Sequence, residues 1–134
     1  MSLSDDERNA LVAYRLEKAN RTYKQAVDSV PLGYWEMTAN RLYYSAYYAV
    51  SALLLNKGFT VQTHNGIIQM LGLHLIKPGL LDKSYGTLYG KLFSMRQTGD
   101  YGDTFELEED DVLPLVEPTK NLINTISKLL KNNK

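Results

Sequence analysis

Residues 34–57 constrain the fold most, because apolar or aromatic side chains recur on nearly every face of the helix that this segment predicts. A helix without a polar face must be buried, either in the core of its own chain or against another subunit. Its continuously apolar part, residues 42–55, includes Ser45 and Ser51 and is shorter than the roughly 20 residues that a membrane span needs. We therefore expect a buried central helix that ends at Gly58.

The segment before it predicts a long amphipathic helix. Ser4 can cap the helix, and Glu7 stands three residues later, where a capping box requires it. Apolar residues then recur every three or four positions as far as Val30, and the Pro31-Leu32-Gly33 sequence ends the helix.

Three further helices follow the central one. Thr63 can cap a short third helix over residues 64–76, and an apolar stripe over residues 81–95 predicts a fourth that ends near Gly99. The last helix is predicted over residues 108–130, with a kink or a late start at Pro118. No strand-period segment outcompetes a helix. We expect an all-α fold, an up-and-down four-helix bundle with an extra short helix, as a single domain over residues 1–134.

Composition excludes several function classes. The formal net charge of the 134 residues is zero, so a broadly basic nucleic-acid coat is not expected. The absence of cysteine excludes disulfides, zinc–thiolate sites, iron–sulfur clusters and thiol nucleophiles. Residues 1–30 contain no apolar run flanked by basic residues, so we expect no signal peptide and a cytoplasmic location.

Charge is nevertheless uneven along the chain. Residues 34–102 contain three acidic and six basic residues, whereas residues 103–117 contain seven acidic residues and no Lys or Arg. A solvated loop and helix N-terminus explains the acidic segment, since carboxylates suit that end of the helix dipole. The alternative is a docking patch for a basic partner.

The two histidines are ten positions apart, which does not suit a metal-ligand pair on one helix face, and we expect no metal or cofactor. His74 lies among apolar residues and is interpreted as a core or interface residue. His64 falls in the first turn of helix three, where a structural capping role competes with a role in ligand binding.

Two arginines lie inside apolar helices. A buried guanidinium costs several kcal/mol unless it is paired. Arg96 and Asp100 are one helical turn apart and could form an ion pair that fixes the helix end. Alternatively, Arg41 and Arg96 converge with tyrosine hydroxyls on an anion such as an RNA phosphate.

The chain resembles the HEPN superfamily of small helical prokaryotic proteins over about residues 8–131. Three short stretches, in this order, carry the resemblance: Asn40-Arg41-Leu42-Tyr43-Tyr44, Thr63-His64-Asn65-Gly66 and Arg96-Gln97-Thr98-Gly99-Asp100-Tyr101.

The resemblance implies a homodimer that pairs with a minimal nucleotidyltransferase in a toxin–antitoxin operon. Many HEPN proteins are metal-independent ribonucleases whose motif is an Arg followed four to six residues later by a His. Arg96 matches this Arg, but no histidine follows it, and Asp100 stands near the expected position. The resemblance makes Arg41, Tyr44, His64, Arg96 and Tyr101 candidate ligand-binding residues.

The missing histidine changes the chemistry that we expect. Proton transfer near neutral pH suits His, whereas Asp has a reference pKa near 3.9 that an adjacent Arg lowers further. We therefore expect a module that binds RNA, a nucleotide or a nucleotidyltransferase, with feeble ribonuclease activity. The alternatives are a divergent ribonuclease that uses Arg96 and Asp100 as catalytic residues, and a structural dimeric bundle without a ligand. A dimer is expected because the apolar surface of helices two and four exceeds what so small a bundle can bury.

Overall fold

The computed structural model describes residues 3–60, 63–101 and 106–132, with side chains described except at 98–101. These residues form an all-α bundle, as the sequence predicts, and contain no strand. In chain order the helices are α1 (Asp5–Ser29), α2 (Trp35–Asn56), α3 (His64–Met70), α4 (Lys83–Tyr101), α5 (Glu109–Val112) and α6 (Val116–Asn132).

Helix α2 is the centre of the bundle, because it packs against α1, α4 and α6, while α4 and α6 contact each other little. From Ala49 to Leu55 every residue of α2 is buried, which confirms the burial predicted from its lack of a polar face. The core extends from α2 into the neighbouring helices through Ala19, Leu92 and Leu122. The half-buried residues of α2 include Arg41, Tyr44, Tyr47 and Tyr48, and these mark the face where a site can lie.

Helix α1 begins as predicted with a capping box. The Ser4 hydroxyl accepts a hydrogen bond from the Glu7 amide at 3.1 Å, and the Glu7 carboxylate accepts one from the Ser4 amide at 3.0 Å. A 3-10 turn over Val30–Leu32 follows α1 and ends at Gly33, whose φ of 71° favours glycine. This tight connection holds α1 antiparallel against α2 over most of its length.

The helical segment that begins at His64 ends at Ile76, as predicted, whereas the fourth helix extends past its predicted end. Helix α3 continues as a π-helical segment over Leu71–Ile76, a form that helical periodicity does not reveal. Helix α4 does not end near Gly99 but continues to Tyr101. Positions 96 and 100 are therefore one turn apart on a continuous helix.

The C-terminal region starts its last helix late, which is one of the two outcomes predicted at Pro118. The short α5 leads into a 3-10 turn over Leu113–Leu115, and α6 begins at Val116, so that Pro118 falls in its first turn. The Tyr23 hydroxyl donates to the Val116 carbonyl at 2.9 Å and ties α1 to the start of α6. Within the described ranges, no helix combines the length and apolarity that crossing a bilayer requires.

Candidate functional site

The candidate site is built on the half-buried face of α2. Arg41 and Tyr44 are three residues apart on this helix and therefore neighbours on its surface. The Arg41 guanidinium lies over the Tyr44 ring, 5.4 Å from its centroid, within the range of a cation–π contact. The side chain of Arg41 is half-buried, so its charge is at the surface of the bundle rather than inside it.

Amides, and not carboxylates, hold the Arg41 guanidinium in place. Its Nε and Nη2 atoms donate to the Asn40 Oδ1 atom at 3.0 and 2.7 Å, and its Nη1 atom donates to the Gln25 Oε1 atom at 3.3 Å. The ion pairs found within the described residues join Arg8 to Asp5 and Lys24 to Asp28. Hydrogen bonds therefore fix the position of the Arg41 guanidinium, and no carboxylate among the described residues neutralises its charge.

Helix α4 brings Arg96 to the same tyrosine. The Arg96 Nη2 atom donates to the Tyr44 hydroxyl at 3.1 Å, and the guanidinium lies 5.4 Å from the centroid of the Tyr44 ring. The guanidinium is also 5.7 Å from the ring of Tyr43. One of the two arrangements predicted for these arginines is therefore present, because a single aromatic ring contacts both Arg41 and Arg96.

His64 reaches this cluster from the start of α3. Its Nδ1 atom shares a hydrogen bond with the Tyr43 hydroxyl, and its ring stacks on Tyr47 with centroids 4.7 Å apart. Of the two roles considered for His64, the capping role is wrong, because Thr63 is the N-cap and its hydroxyl accepts a hydrogen bond from the Gly66 amide at 2.9 Å. The imidazole faces Tyr43 and Tyr47.

The environment of His64 keeps the imidazole neutral near pH 7. Burial and, to a smaller extent, the positive charge of Arg96 lower the pKa of His64 from its ordinary value of 6.5. Burial also raises the pKa of the Tyr43 hydroxyl to about 12, so this phenol is protonated under the same conditions. Since Tyr43 occupies the Nδ1 atom, Nε2 is the ring nitrogen that can meet a ligand, and it has no hydrogen bond among the described residues.

The remaining predicted site residues, Asp100 and Tyr101, lie in the last turn of α4, and their side chains fall outside the described part of the structure. His74, expected in a core or interface, is half-buried and stacks on Phe59 with ring centroids 4.0 Å apart.

Sequence reasoning missed three residues that build the cluster. Tyr43 and Tyr47 are one helical turn apart and carry His64, and Gln25 of α1 orients Arg41. The spacing of the two tyrosines was a usable signal, because residues four apart share a helix face. Nothing in the sequence points to Gln25, whose contact with Arg41 depends on how α1 packs against α2.

Comparisons with known proteins agree with this architecture. The profile of the HEPN domain family matches residues 12–130, and the chain belongs to this family. A UPF0332 protein of Thermotoga maritima is 30% identical over 96% of this chain and 98% of its own length.

Two proteins of Methanocaldococcus jannaschii that are named as candidate toxins are also similar. One is 28% identical over 86% of this chain and 78% of its own length. The other is 30% identical over 90% of this chain and 81% of its own length.

Proposed function

We propose that this protein is the HEPN component of a toxin–antitoxin-type pair and that it binds RNA or a nucleotide at the cluster of Arg41, Tyr44, His64 and Arg96. The observation that carries the proposal is the convergence of two guanidinium groups on one tyrosine ring, each 5.4 Å from its centroid. Arginine pairs planar N–H donors with the oxygens of a phosphate, and two such groups at one place favour an anionic ligand. The toxin names of the similar archaeal proteins support the biological setting.

The electrostatics of the cluster support an anion. Arg41 is held by neutral amide oxygens, so a phosphate gains a positioned positive charge without having to displace a carboxylate. A guanidinium that is already oriented loses less conformational entropy when it binds. The tyrosine rings beside it offer surfaces on which a nucleobase can stack.

Feeble ribonuclease activity is part of the proposal. Helix α4 has no histidine after Arg96, and a carboxylate at position 100 is a poor proton-transfer group at neutral pH. Binding without efficient cleavage is therefore the function that this chain's residues favour.

A second candidate function, metal-independent RNA cleavage, is favoured by one specific observation. His64 and Arg96 contact the same tyrosines, so an imidazole from α3 stands near the arginine although the family motif places its histidine on α4. The neutral imidazole can act as a general base in the tautomer whose Nδ1–H donates to the Tyr43 oxygen, because the Nε2 lone pair is then free to accept a proton. In this alternative His64, rather than Asp100, moves the proton of the ribose 2′-hydroxyl.

The apolar surface that was expected on helices two and four is mostly buried or half-buried, since Met37 is the one large apolar side chain of these helices that is exposed among the described residues. A homodimer is instead favoured by exposed apolar side chains at the connection between α1 and α2, where Leu32 is 61% exposed and Tyr34 and Met37 are also exposed. A minimal nucleotidyltransferase is the partner that the HEPN resemblance implies. Light scattering of the purified protein at micromolar concentration tests the dimer, and a monomer would contradict it.

Binding to single-stranded RNA, followed by fluorescence anisotropy, tests the proposed function. We expect Arg41→Gln and Arg96→Gln each to weaken binding at least about tenfold, since each removes a charged contact to phosphate. The control is Lys120→Gln, which removes an exposed charge from α6 and should leave affinity unchanged. Equal RNA affinity of the wild type and the three variants, or no RNA binding by the wild type, would contradict the proposal.

Incubation with total RNA in the absence of metal separates the two candidate functions. Binding without cleavage supports the first. Robust cleavage that His64→Gln abolishes supports the second, and cleavage that survives His64→Gln but is lost in Asp100→Asn points to the acidic residue instead.

A further inference from the structure

A second cationic and aromatic cleft lies beside the cluster, between α1 and α2. It has a volume of about 280 Å³, and α1 lines it with Leu11, Tyr14, Arg15 and Lys18. These four positions recur at the three- and four-residue spacing of a single helix face. On the other side α2 contributes Tyr47, Tyr48 and Ser51.

The two cations of this cleft are not neutralised. No acidic residue lines the cleft, and within the described ranges Arg15 and Lys18 belong to neither of the ion pairs that form. The Lys18 ammonium instead lies over two aromatic rings, 4.7 Å from the centroid of Tyr48 and 5.9 Å from that of Tyr14. Tyr14 is 50% exposed, so a ligand in the cleft can reach part of its side chain. Such a site offers positive charge and a stacking surface together, as single-stranded nucleic acid requires.

Aromatic contacts join this cleft to the cluster already described. Tyr47 lines the cleft and also stacks on His64, with ring centroids 4.7 Å apart. The ring centroids of Tyr48 and Tyr44 are 6.1 Å apart, and the Tyr44 hydroxyl accepts a hydrogen bond from Arg96. A strand that leaves the cluster can therefore pass along the tyrosines of α2 to the cleft at α1.

We propose that this cleft is a second subsite for the same RNA strand, in which a nucleobase stacks on Tyr14 and a neighbouring phosphate contacts Arg15 and Lys18. The proposal rests on the proposed function, because it assigns the path of the strand that the cluster binds. It predicts that the protein prefers single-stranded RNA long enough to reach both places. A dinucleotide is too short to reach the cleft and occupies only the cluster.

Two RNA lengths test the second subsite separately from the first. Anisotropy is measured with a labelled single-stranded octaribonucleotide and with a dinucleotide, for the wild type and for Arg15→Gln/Lys18→Gln. In this double variant we expect octamer binding to weaken about tenfold, and the slope of log Kd against log salt to fall by about 0.7, because the one phosphate that Arg15 and Lys18 contact is no longer neutralised. Dinucleotide affinity should stay the same. Tyr14→Ala should weaken octamer binding while leaving the salt slope unchanged, since it removes stacking but no charge.

The control variant, Lys120→Gln/Lys128→Gln, removes the same charge from exposed positions on α6 and should bind both ligands as the wild type does. Circular dichroism verifies that each variant is folded. If the wild type binds the octamer and the Arg15→Gln/Lys18→Gln protein binds it within about twofold of that affinity, the second subsite is refuted and the cluster stands. If the wild type binds neither RNA, both the proposed function and the subsite are refuted.

Discussion

His64 and Arg96 come from different helices and lie against the same two tyrosine rings. The His64 ring centroid is 5.6 Å from that of Tyr43 and 5.8 Å from that of Tyr44, and the Arg96 guanidinium is 5.7 and 5.4 Å from the same rings. Each of the three stretches that carry the HEPN resemblance therefore supplies a member of one cluster. The tyrosines connect these stretches, so the cluster depends on its aromatic rings as much as on its charges.

Tyr44→Phe should weaken RNA binding by up to about tenfold while leaving the fold intact. The ring that lies against Arg41 and Arg96 is retained, but the hydroxyl that accepts the Arg96 hydrogen bond is lost, and hydrogen bonds to charged groups are the stronger ones. Anisotropy with a single-stranded RNA measures the effect. Tyr85→Phe is the matched control, since its hydroxyl contacts Thr125 at 3.1 Å and not the cluster. Equal losses in both variants would show that Tyr44 has no special role.

The stability of the protein should fall as the pH drops below about 6.5, and His64 should account for part of the loss. Burial and Arg96 lower the pKa of His64 in the folded state, so between the folded and unfolded pKa values the unfolded chain binds more protons. The stabilisation from His64 is complete above the pKa that this residue has in the unfolded chain. It is lost as the pH falls through the lower pKa that His64 has in the folded protein. Urea unfolding from pH 8 to pH 5 measures it.

His64→Gln should flatten that pH profile, because the variant has no proton to gain at this position. His74→Gln is the comparison. His74 lies outside the cluster, stacked on Phe59, so this variant should retain the wild-type slope. A His64→Gln profile parallel to that of the wild type would contradict the environment assigned to His64.

Leu54→Ala should lower the free energy of unfolding by about 2–5 kcal/mol, because this side chain is fully buried in α2 and its loss leaves a cavity. Leu113→Ala, at a position that is 41% exposed, should cost much less. Urea unfolding of both variants provides the comparison. A small effect at Leu54 would be inconsistent with α2 as the centre of the core.

Ser4→Ala should destabilise the protein by about 1 kcal/mol, since it removes the hydroxyl that caps the Glu7 amide. Ser4→Thr retains a hydroxyl and should restore most of the loss. Thermal unfolding of the two variants measures the difference, and an identical melting temperature for Ser4→Ala and the wild type would argue against the capping box.

The sequence predicted the helices well where periodicity and caps agree. Ser4, Pro31 and Gly33 mark the limits of α1, and the lack of a polar face predicted that α2 is buried. The π-helical segment over Leu71–Ile76 and the continuation of α4 beyond Gly99 were not predicted. Apolar periodicity does not distinguish a π-helical segment from an α-helix, and a glycine near a helix end does not fix the residue at which the helix stops.

The site was predicted in part. The convergence of Arg41 and Arg96 was one of two interpretations of these arginines, and the direction of His64 was left open, because a residue in a first helical turn can cap the helix or face the core. Only the packing of α3 against α2, where Tyr43 offers a hydroxyl, selects between these directions. Contacts between helices determine such choices, and one sequence does not encode them as a local pattern.

The most direct test follows the two imidazole rings by nuclear magnetic resonance during titration with single-stranded RNA. The chain contains two histidines, His64 in the cluster and His74 stacked on Phe59, so the control is built into the protein. We predict that RNA shifts the ring resonances of His64 and leaves those of His74 in place. Unchanged resonances of His64 at saturating RNA, or shifts confined to His74, would contradict the assignment of this cluster as the RNA site.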